Sequence, residues 1–513
     1  MITGSTDGKL RDRTEVNEGS RFTNDRKAEA RKPKSRFGSF ARYLGLIIFL
    51  STLAVYLATL NEVWATDHST AIVEFQYSVW ANHSFILGKV GSFDPKSVDV
   101  FQYNGNYFMA NAPGVAFFTL PFAIIGFLLN GHFTQFGSVL LLTEAPIAFA
   151  NSLGSYFVYK ISNYYFKKEI SAFVAFSYAF STISWPFAGY LFQSDVSSLF
   201  DLIAIFLVIK FDRANTFATG QPNNKTGTHN FILPFLCGLA IACATFVDYV
   251  NGILIPIIAL YLLFGMRKKK LTTILKSVFA FLSSSVLVTL FSLGLYNYLS
   301  FGTLFTTSEQ LFLHSSSVFA NFNFPVHLGV FLNLFTPMRG LFSYSPILLL
   351  GVWGMWKMLR NSHTDREALL FLSIFLGILG LYSSWYDPLG GLSFGPRLII
   401  SSIPFLLIPA GFVISEANGK YSYTFAYLLF ATGVVVNGIA ALVGVLAPPS
   451  DNWFSSPFLS STLPSFISGN LDVWWKSYLG DYWMLLAAFL LGTALLLPLS
   501  VGYVIDSLDD KLG

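Results

Sequence analysis

The sequence predicts an all-α polytopic membrane protein of about twelve transmembrane helices. Three observations predict it: apolar composition, the recurrence of long apolar runs, and the one-sided distribution of basic residues. Of 513 residues, 53% are hydrophobic and 12% charged, a balance outside that of water-soluble domains, so a soluble enzyme is excluded. Aromatics make up 17%, with 54 Phe, which suits lipid-facing surfaces and interfacial belts. The two cysteines, Cys237 and Cys243, face different directions on one helix and are not expected to pair.

Apolar runs able to cross roughly 30 Å of hydrocarbon lie near 43–60, 137–159, 170–188, 196–211, 231–247 and 249–265, then 274–298, 343–358, 367–384, 397–415, 422–447 and 482–505. The first 42 residues are polar and carry eleven Lys or Arg without an apolar run. They read as a basic cytoplasmic tail, not a cleavable signal peptide. Acids interspersed among the bases, and the lack of aromatics, argue against nucleic-acid binding.

The segment Pro113–Asn130 is apolar enough to cross as well, and charge decides against it. If it stays half-buried on the outer face, all but five of the 32 basic residues fall on the cytoplasmic side, together with both termini. The five are Lys89, Lys96, Arg339, Arg397 and Lys476. If it crosses, fewer than half do, against the positive-inside rule. The expected organisation is therefore a tail over 1–42, a transmembrane module over 43–420 with a long outer loop at 61–136, and C-terminal helices over 421–513 with an outer loop at 447–480. A multi-pass protein of this kind belongs in the plasma membrane if the chain is prokaryotic.

Long loops are commonly functional. In the first, Ser69–Leu87 places Ile72, Phe75, Tyr77, Val79, Trp80, Phe85 and Ile86 among polar residues, the pattern of an amphipathic helix lying along the interface. Asn104-Gly105 reads as a hairpin turn, and Pro113-Gly114 as a break before the apolar segment.

Candidate chemistry gathers at the outer helix ends. Asp67 follows the first helix; Asp195 sits between the third and fourth, where it also reads as a helix cap. Asp248 marks a later outer hairpin, and Asp201 and Glu144 fall inside helices. Arg339 and Arg397 run against the charge bias. They read either as snorkelling side chains or as phosphate ligands, because guanidinium donates paired hydrogen bonds to phosphoryl oxygens. Gly390, Gly391 and Gly395 next to Arg397 allow close backbone approach.

Together these residues resemble the GT-C superfamily of membrane glycosyltransferases, in particular the relatives of protein O-mannosyltransferases and aminoarabinose transferases (glycosyltransferase family 39-like). The match is carried by Asp67; by Tyr103, Gly105, Tyr107, Pro113, Gly114 and Pro121; by Asp195; by Arg339-Gly340-Leu341-Phe342 with Tyr344-Ser345-Pro346; and by Trp385 with Gly390-Gly391, Ser393 and Gly395-Pro396-Arg397. The resemblance implies a GT-C-like fold with interfacial helices in the first outer loop. It also implies inverting transfer of a sugar from a polyprenyl-phosphate donor, acting as co-substrate, to an acceptor on the non-cytoplasmic side. On that analogy Asp67 is the general base, and Asp195 either binds the acceptor or sugar or helps hold Asp67 in place. Arg339 and Arg397 meet the phosphate, while Tyr107, Tyr344, Trp385 and Asp248 serve substrate binding.

The sequence departs from the family in the turn before Pro113-Gly114, where Asn106 and Asn111 stand in place of a base. His68, beside Asp67, reads as a second acid or base or as an incidental loop residue. No metal site is assigned, since the outer carboxylates lack ligand-cluster spacing, although relatives differ in using a divalent ion. Implied partners are membrane lipids, the lipid-linked donor and an acceptor of unspecified kind. Trp453, Trp474, Trp475 and Tyr478 in the last outer loop read as interfacial anchors or as acceptor-binding residues, with anchoring favoured. The competing readings are a secondary transporter or lipid flippase, and a non-catalytic GT-C-like protein. The placement of charge at outer helix ends disfavours a transporter, whose ionisable residues gather at the midplane.

Overall fold

The computed structural model describes residues 40–61, 67–88, 99–130, 138–217, 231–267, 269–416, 420–446 and 452–510. The chain divides into two compact units, Met1–Leu44 and Gly45–Gly513. Most of the basic tail lies outside the described residues, and everything below concerns the second unit.

Each of the twelve apolar runs is helical. Among the described residues, five helical segments are long and apolar enough to cross a membrane: Leu271–Phe301, Asp365–Ser384, Arg397–Ser415, Tyr423–Val443 and Trp483–Gly502. Shorter apolar helices, such as Ile232–Val247, accompany them. Two helices of 25 residues, Ser138–Ser162 and Gln193–Phe217, are long but carry polar and charged residues.

Several runs break where proline or a turn demands it. The run at 397–415 is a 3₁₀ segment Arg397–Ser402 followed by Ile403–Leu407 and Ala410–Ser415, with Pro404 and Pro409 at the joins. The run at 170–188 ends as a helix at Phe180 and resumes as the single turn Ser184–Phe187. Small residues bring helices together: a Cβ at Gly238 would overlap Ser284 and the Phe281 backbone of the neighbouring Leu271–Phe301 helix.

The first outer loop folds into three pieces. The expected amphipathic helix is Asp67–Asn82, but it does not leave a polar face open. Glu74, Gln76 and Ser78 are buried along with Ile72 and Phe75. Gln76 Nε2 donates to Ala116 O at 2.9 Å and Thr119 Oγ1 at 2.6 Å. The helix is therefore covered by protein, which supplies the hydrogen bonds that water would supply to a surface helix.

The hairpin pairs Val100–Tyr103 with Asn106–Met109 in the register Val100 to Met109. Asn104 and Gly105 both have positive φ, at 49° and 78°, as a type I′ turn requires. The apolar segment is the helix Gly114–Asn130. It buries Val115, Ala116, Ala123 and Phe127 and exposes Phe122, Ile125, Leu128 and Leu129, an apolar outer face. Gly114 is required where it stands, because a Cβ would overlap Val247 and Phe246 at the end of the Ile232–Val247 helix.

The last outer loop corrects one expectation. Trp475 is buried, and Trp474 and Trp475 donate their indole N–H groups to Leu57 O and Ala58 O at 3.0 and 2.6 Å. Those carbonyls end the helix Phe40–Ala58 and have no donor within it, so the two rings cap a helix and leave interfacial anchoring to exposed neighbours such as Tyr478. Both cysteines are unpaired.

Candidate active site

A cavity of about 610 Å³ opens at one pole of the helices, where seven separate stretches of chain converge. His68 reaches it from the first turn of Asp67–Asn82, and Asp99 and Asn111 from the two ends of the hairpin. Phe192 lies just before the helix Gln193–Phe217, and Asp248 just after Ile232–Val247. Glu309 comes from the short helix Ser308–Phe312. Tyr382, Trp385, Tyr386 and Asp387 close the Asp365–Ser384 helix, followed by Gly390, Gly391 and Arg397. Size and lining fall in the range of small-molecule sites.

The glycine-rich loop is held from within and from below. Asp387 accepts from Leu389 N at 3.2 Å and Gly391 N at 2.6 Å. Gly390, Gly391 and Gly395 have φ of 67°, 73° and 66°, which a side chain would strain. Beneath lies Arg339, 1% exposed, whose Nη1 donates to Leu389 O at 3.1 Å, to Gly391 O, and to Ser393 Oγ at 3.3 Å. Burial lowers the Arg339 guanidinium to about 10, against the raising effect of Asp387; it remains a cation at neutral pH. Arg339 does not line the cavity. Tyr344 supports the same loop: its hydroxyl donates to Met338 O at 2.8 Å and its ring meets Phe394 edge-on at 4.5 Å.

Arg397 is the guanidinium that does line the cavity. Its Nε donates to Gly390 O at 2.8 Å, and its Cζ lies 4.3 Å from the centre of the Phe192 ring. Among the described residues Nη1 and Nη2 have no hydrogen-bond partner.

Phe192 also carries the imidazole of His68, stacked at 4.9 Å. His68 Nδ1 is 3.4 Å from Asp99 Oδ2 and 3.0 Å from Asn111 Nδ2, which donates to Asp99 Oδ1 at 3.4 Å. Burial raises the Asp99 carboxyl, but the bond and charge of His68, then the charge of Arg397, outweigh it and hold the group below the usual carboxylate range. On the opposite wall Asp248 accepts from Tyr382 Oη at 2.6 Å and from Val250 N at 3.2 Å. Burial raises Asp248, and burial followed by the Asp248 charge pushes Glu309 up to about 8.

Of the residues singled out from sequence, Arg397, Asp248 and Trp385 line this cavity. Trp385 packs edge-on against Phe322 at 5.0 Å. Arg339 and Tyr344 support the loop from outside it. Asp195 is buried in the first turn of its helix and does not line the cavity, although Phe192, Gln193 and Ser194 do, and among the described residues neither of its carboxyl oxygens has a hydrogen-bond partner. Tyr107 is half-buried in the hairpin, opposite Gln102. Asp67 opens the helix that carries His68, and its side chain lies outside the described residues, as does Asp94. Asp201 and Glu144 are buried inside helices, their carboxyl oxygens also without hydrogen-bond partners among the described residues. The residues not foreseen as a group are His68, Asp99, Asn111, Phe192 and Tyr382, for which the adjacency of His68 to Asp67 gave the one signal; Glu309 lies in the polar, Phe-rich stretch 300–327, which reads in sequence either as a cavity lining or as a helix connection, and it lines the cavity. Among the described residues no three His, Cys, Asp or Glu side chains are placed to hold a metal ion.

No family model and no curated protein matches the sequence. Solved structures share its fold. ArnT from Cupriavidus metallidurans, solved bound to undecaprenyl phosphate, aligns with a TM-score of 0.52 at 14% identity, over 92% of this chain and 77% of that one. The archaeal oligosaccharyltransferase AglB from Archaeoglobus fulgidus, solved with an inhibitory peptide and a dolichol-phosphate, aligns at 0.49 with 13% identity, over 78% of this chain and 56% of its own. At such identities the likeness is one of fold. The chain shares the fold of ArnT along most of its length.

Because Arg339 Nη1 meets three acceptors of one loop from a buried position, Arg339→Met, which keeps an apolar stem and removes the donor, should lower stability by about 2 kcal/mol. Thermal unfolding in detergent measures it, and an unchanged midpoint contradicts this account of the loop.

Proposed function

We propose that the protein transfers a sugar from a polyprenyl-phosphate-linked donor to an acceptor, a protein, lipid or glycan, on the non-cytoplasmic side of the membrane, with inversion at the anomeric carbon. The observation that carries the reading is Arg397: a guanidinium seated in the cavity, oriented by Gly390 O and the Phe192 ring, with both terminal nitrogens unbonded among the described residues. Paired N–H donors of this kind match a phosphoryl group. ArnT, whose fold the chain shares, was solved with undecaprenyl phosphate bound.

The cavity then divides the work. Arg397 takes the lipid phosphate and stabilises the charge that develops on it as the anomeric C–O bond breaks. Asp67 removes the proton from the acceptor hydroxyl, strengthening its attack on the anomeric carbon. Asp195 stands behind the wall as a support for this region. Trp385 offers an aromatic face, and Asp248 with Tyr382 offers hydrogen-bonding groups, to the sugar or acceptor. The outward orientation of this pole, with both termini in the cytoplasm, follows from the bias of basic residues. The transporter or flippase reading draws on Asp201 and Glu144, buried without hydrogen-bond partners; solute uptake into protein-containing liposomes without sugar transfer would favour it.

Reconstituted protein supplied with labelled undecaprenyl-phosphate sugars and membrane extract tests the reading. Asp67→Asn should reduce transfer by about 100-fold or more, and Arg397→Gln should weaken undecaprenyl phosphate binding by about tenfold or more. Wild-type values in both variants contradict it.

Glu309 adds a pH dependence. With its carboxyl raised to about 8, it is largely neutral at pH 7 and acquires a negative charge in the cavity as pH rises through 8. Undecaprenyl phosphate affinity should therefore fall between pH 7 and 9, and the fall should be shallower in Glu309→Gln. Parallel profiles in the two proteins would remove Glu309 from the account.

A further inference from the structure

The lining of the cavity carries more acid than base: Asp99, Asp248, Glu309 and Asp387 stand against Arg397 and His68. Asp99 and Asp387 are the carboxylates whose charges act on Arg397, and Asp99 also meets His68. Asp248 and Glu309, on the opposite wall, are left over. Asp248 is 8% exposed and is held by two neutral donors, Tyr382 Oη and Val250 N. None of the ion pairs among the described residues includes it or Glu309. Glu309 feels the Asp248 charge and has no hydrogen-bond donor among the described residues. Two neighbouring carboxyls removed from water without a cation are costly to ionise, and a cation entering the cavity would favour the ionised form of both.

The surroundings define that cation. Phe312 follows Glu309 by three residues in the same short helix, Tyr382 bonds Asp248, and Tyr386 feels the Glu309 charge; all three line the cavity with Trp385. The Trp385 and Tyr386 rings are 5.3 Å apart. Aromatic faces beside carboxylates suit an organic ammonium, whereas a divalent ion asks for six or more oxygen ligands. The rim is apolar. Leu392 and Leu446, each 51% exposed, line the cavity from two stretches joined where Phe394 N donates to Val445 O at 2.8 Å. Exposed apolar side chains at the mouth of a charged cavity suit an amphiphile.

We propose that the acceptor is a lipid whose headgroup carries a primary ammonium beside the hydroxyl that is glycosylated, the ammonium held between Asp248 and Glu309 and the chain leaving over Leu392 and Leu446. This rests on the glycosyl-transfer reading and deepens it by naming the acceptor. The donor phosphate takes the end of the cavity that Arg397 marks, so the acidic pair across from it falls to the acceptor.

The test gives full-length protein in liposomes labelled undecaprenyl-phosphate glucose, a donor without an amine, and compares octyl glucosaminide with octyl N-acetylglucosaminide as acceptors. The two share chain length and differ in charge below about pH 7, where the free amine is a cation. The KM of the ammonium form is expected to be about tenfold lower, and the ratio to fall toward one in Glu309→Gln and in Asp248→Asn. Equal KM values in wild type, or a ratio kept in both variants, would overturn the proposal. So would a ratio that appears only with added magnesium, which would make the cation a metal. A preference for undecaprenyl-phosphate glucosamine over undecaprenyl-phosphate glucose that Glu309→Gln abolishes would overturn it by placing the amine on the donor, and a lysine-containing serine peptide accepted as well as octyl glucosaminide would remove the lipid. If neither probe accepts, membrane-extract lipids decide: N-acetylating them should cut transfer about tenfold, and unchanged transfer overturns the proposal. Wild-type protein that transfers sugar to neither probes nor extract would instead overturn the reading beneath it.

Discussion

The arrangement depends on a buried cation gripping a glycine-rich loop by its carbonyl oxygens. Arg339 donates to three acceptors between Leu389 and Ser393, and Asp387 ties the loop to itself from the other side. Three glycines with positive φ let the backbone fold that tightly. Arg339 and Asp387 together hold the loop around Gly390, and without Gly390 O the Arg397 side chain would have only the Phe192 ring to orient it. One arginine thus sets the geometry of another, and the distinction between the two roles lies in burial.

A cavity lined by ionisable side chains faces a conflict between the cost of burying charge and the use of it. Here the cost is met by pairing. Asp99 is shared by His68, Asn111 and the field of Arg397; Asp248 is held by Tyr382 and a backbone N–H. Among the described residues, the terminal nitrogens of Arg397 and Nε2 of His68 have no hydrogen-bond partner, and both side chains stand against Phe192.

Much of the fold was legible because lipid imposes a simple rule: backbone polar groups must be satisfied within each segment, so long apolar runs become helices. Among the described residues each run holds helix, and five segments are long and apolar enough to cross a membrane; Asn104-Gly105 made the turn its chemistry demands. Breaks at Ser181–Ile183 and at Pro409 were not legible, because hydropathy continues across them. The helix Asp67–Asn82 was foreseen as a helix but not as a buried one: its polar residues are matched by partners some 40 positions away, such as Ala116 and Thr119 for Gln76. The site was legible in part. Arg397, Asp248 and Trp385 were found because charge or glycine marked them. Arg339 looked the same as Arg397 in sequence, and only its carbonyl partners separate the two. The triad of His68, Asp99 and Asn111 was out of reach, since it is assembled by the closure of the hairpin between its members.

The central claim is that the anionic head of a polyprenyl phosphate sits on Arg397 in this cavity. A cryo-electron microscopy structure of the protein in nanodiscs with undecaprenyl phosphate tests it most directly. The account predicts phosphate density within hydrogen-bond distance of the Arg397 terminal nitrogens, on the side of Phe192 that faces the cavity. Phosphate bound elsewhere, with Arg397 turned to protein acceptors, would contradict it.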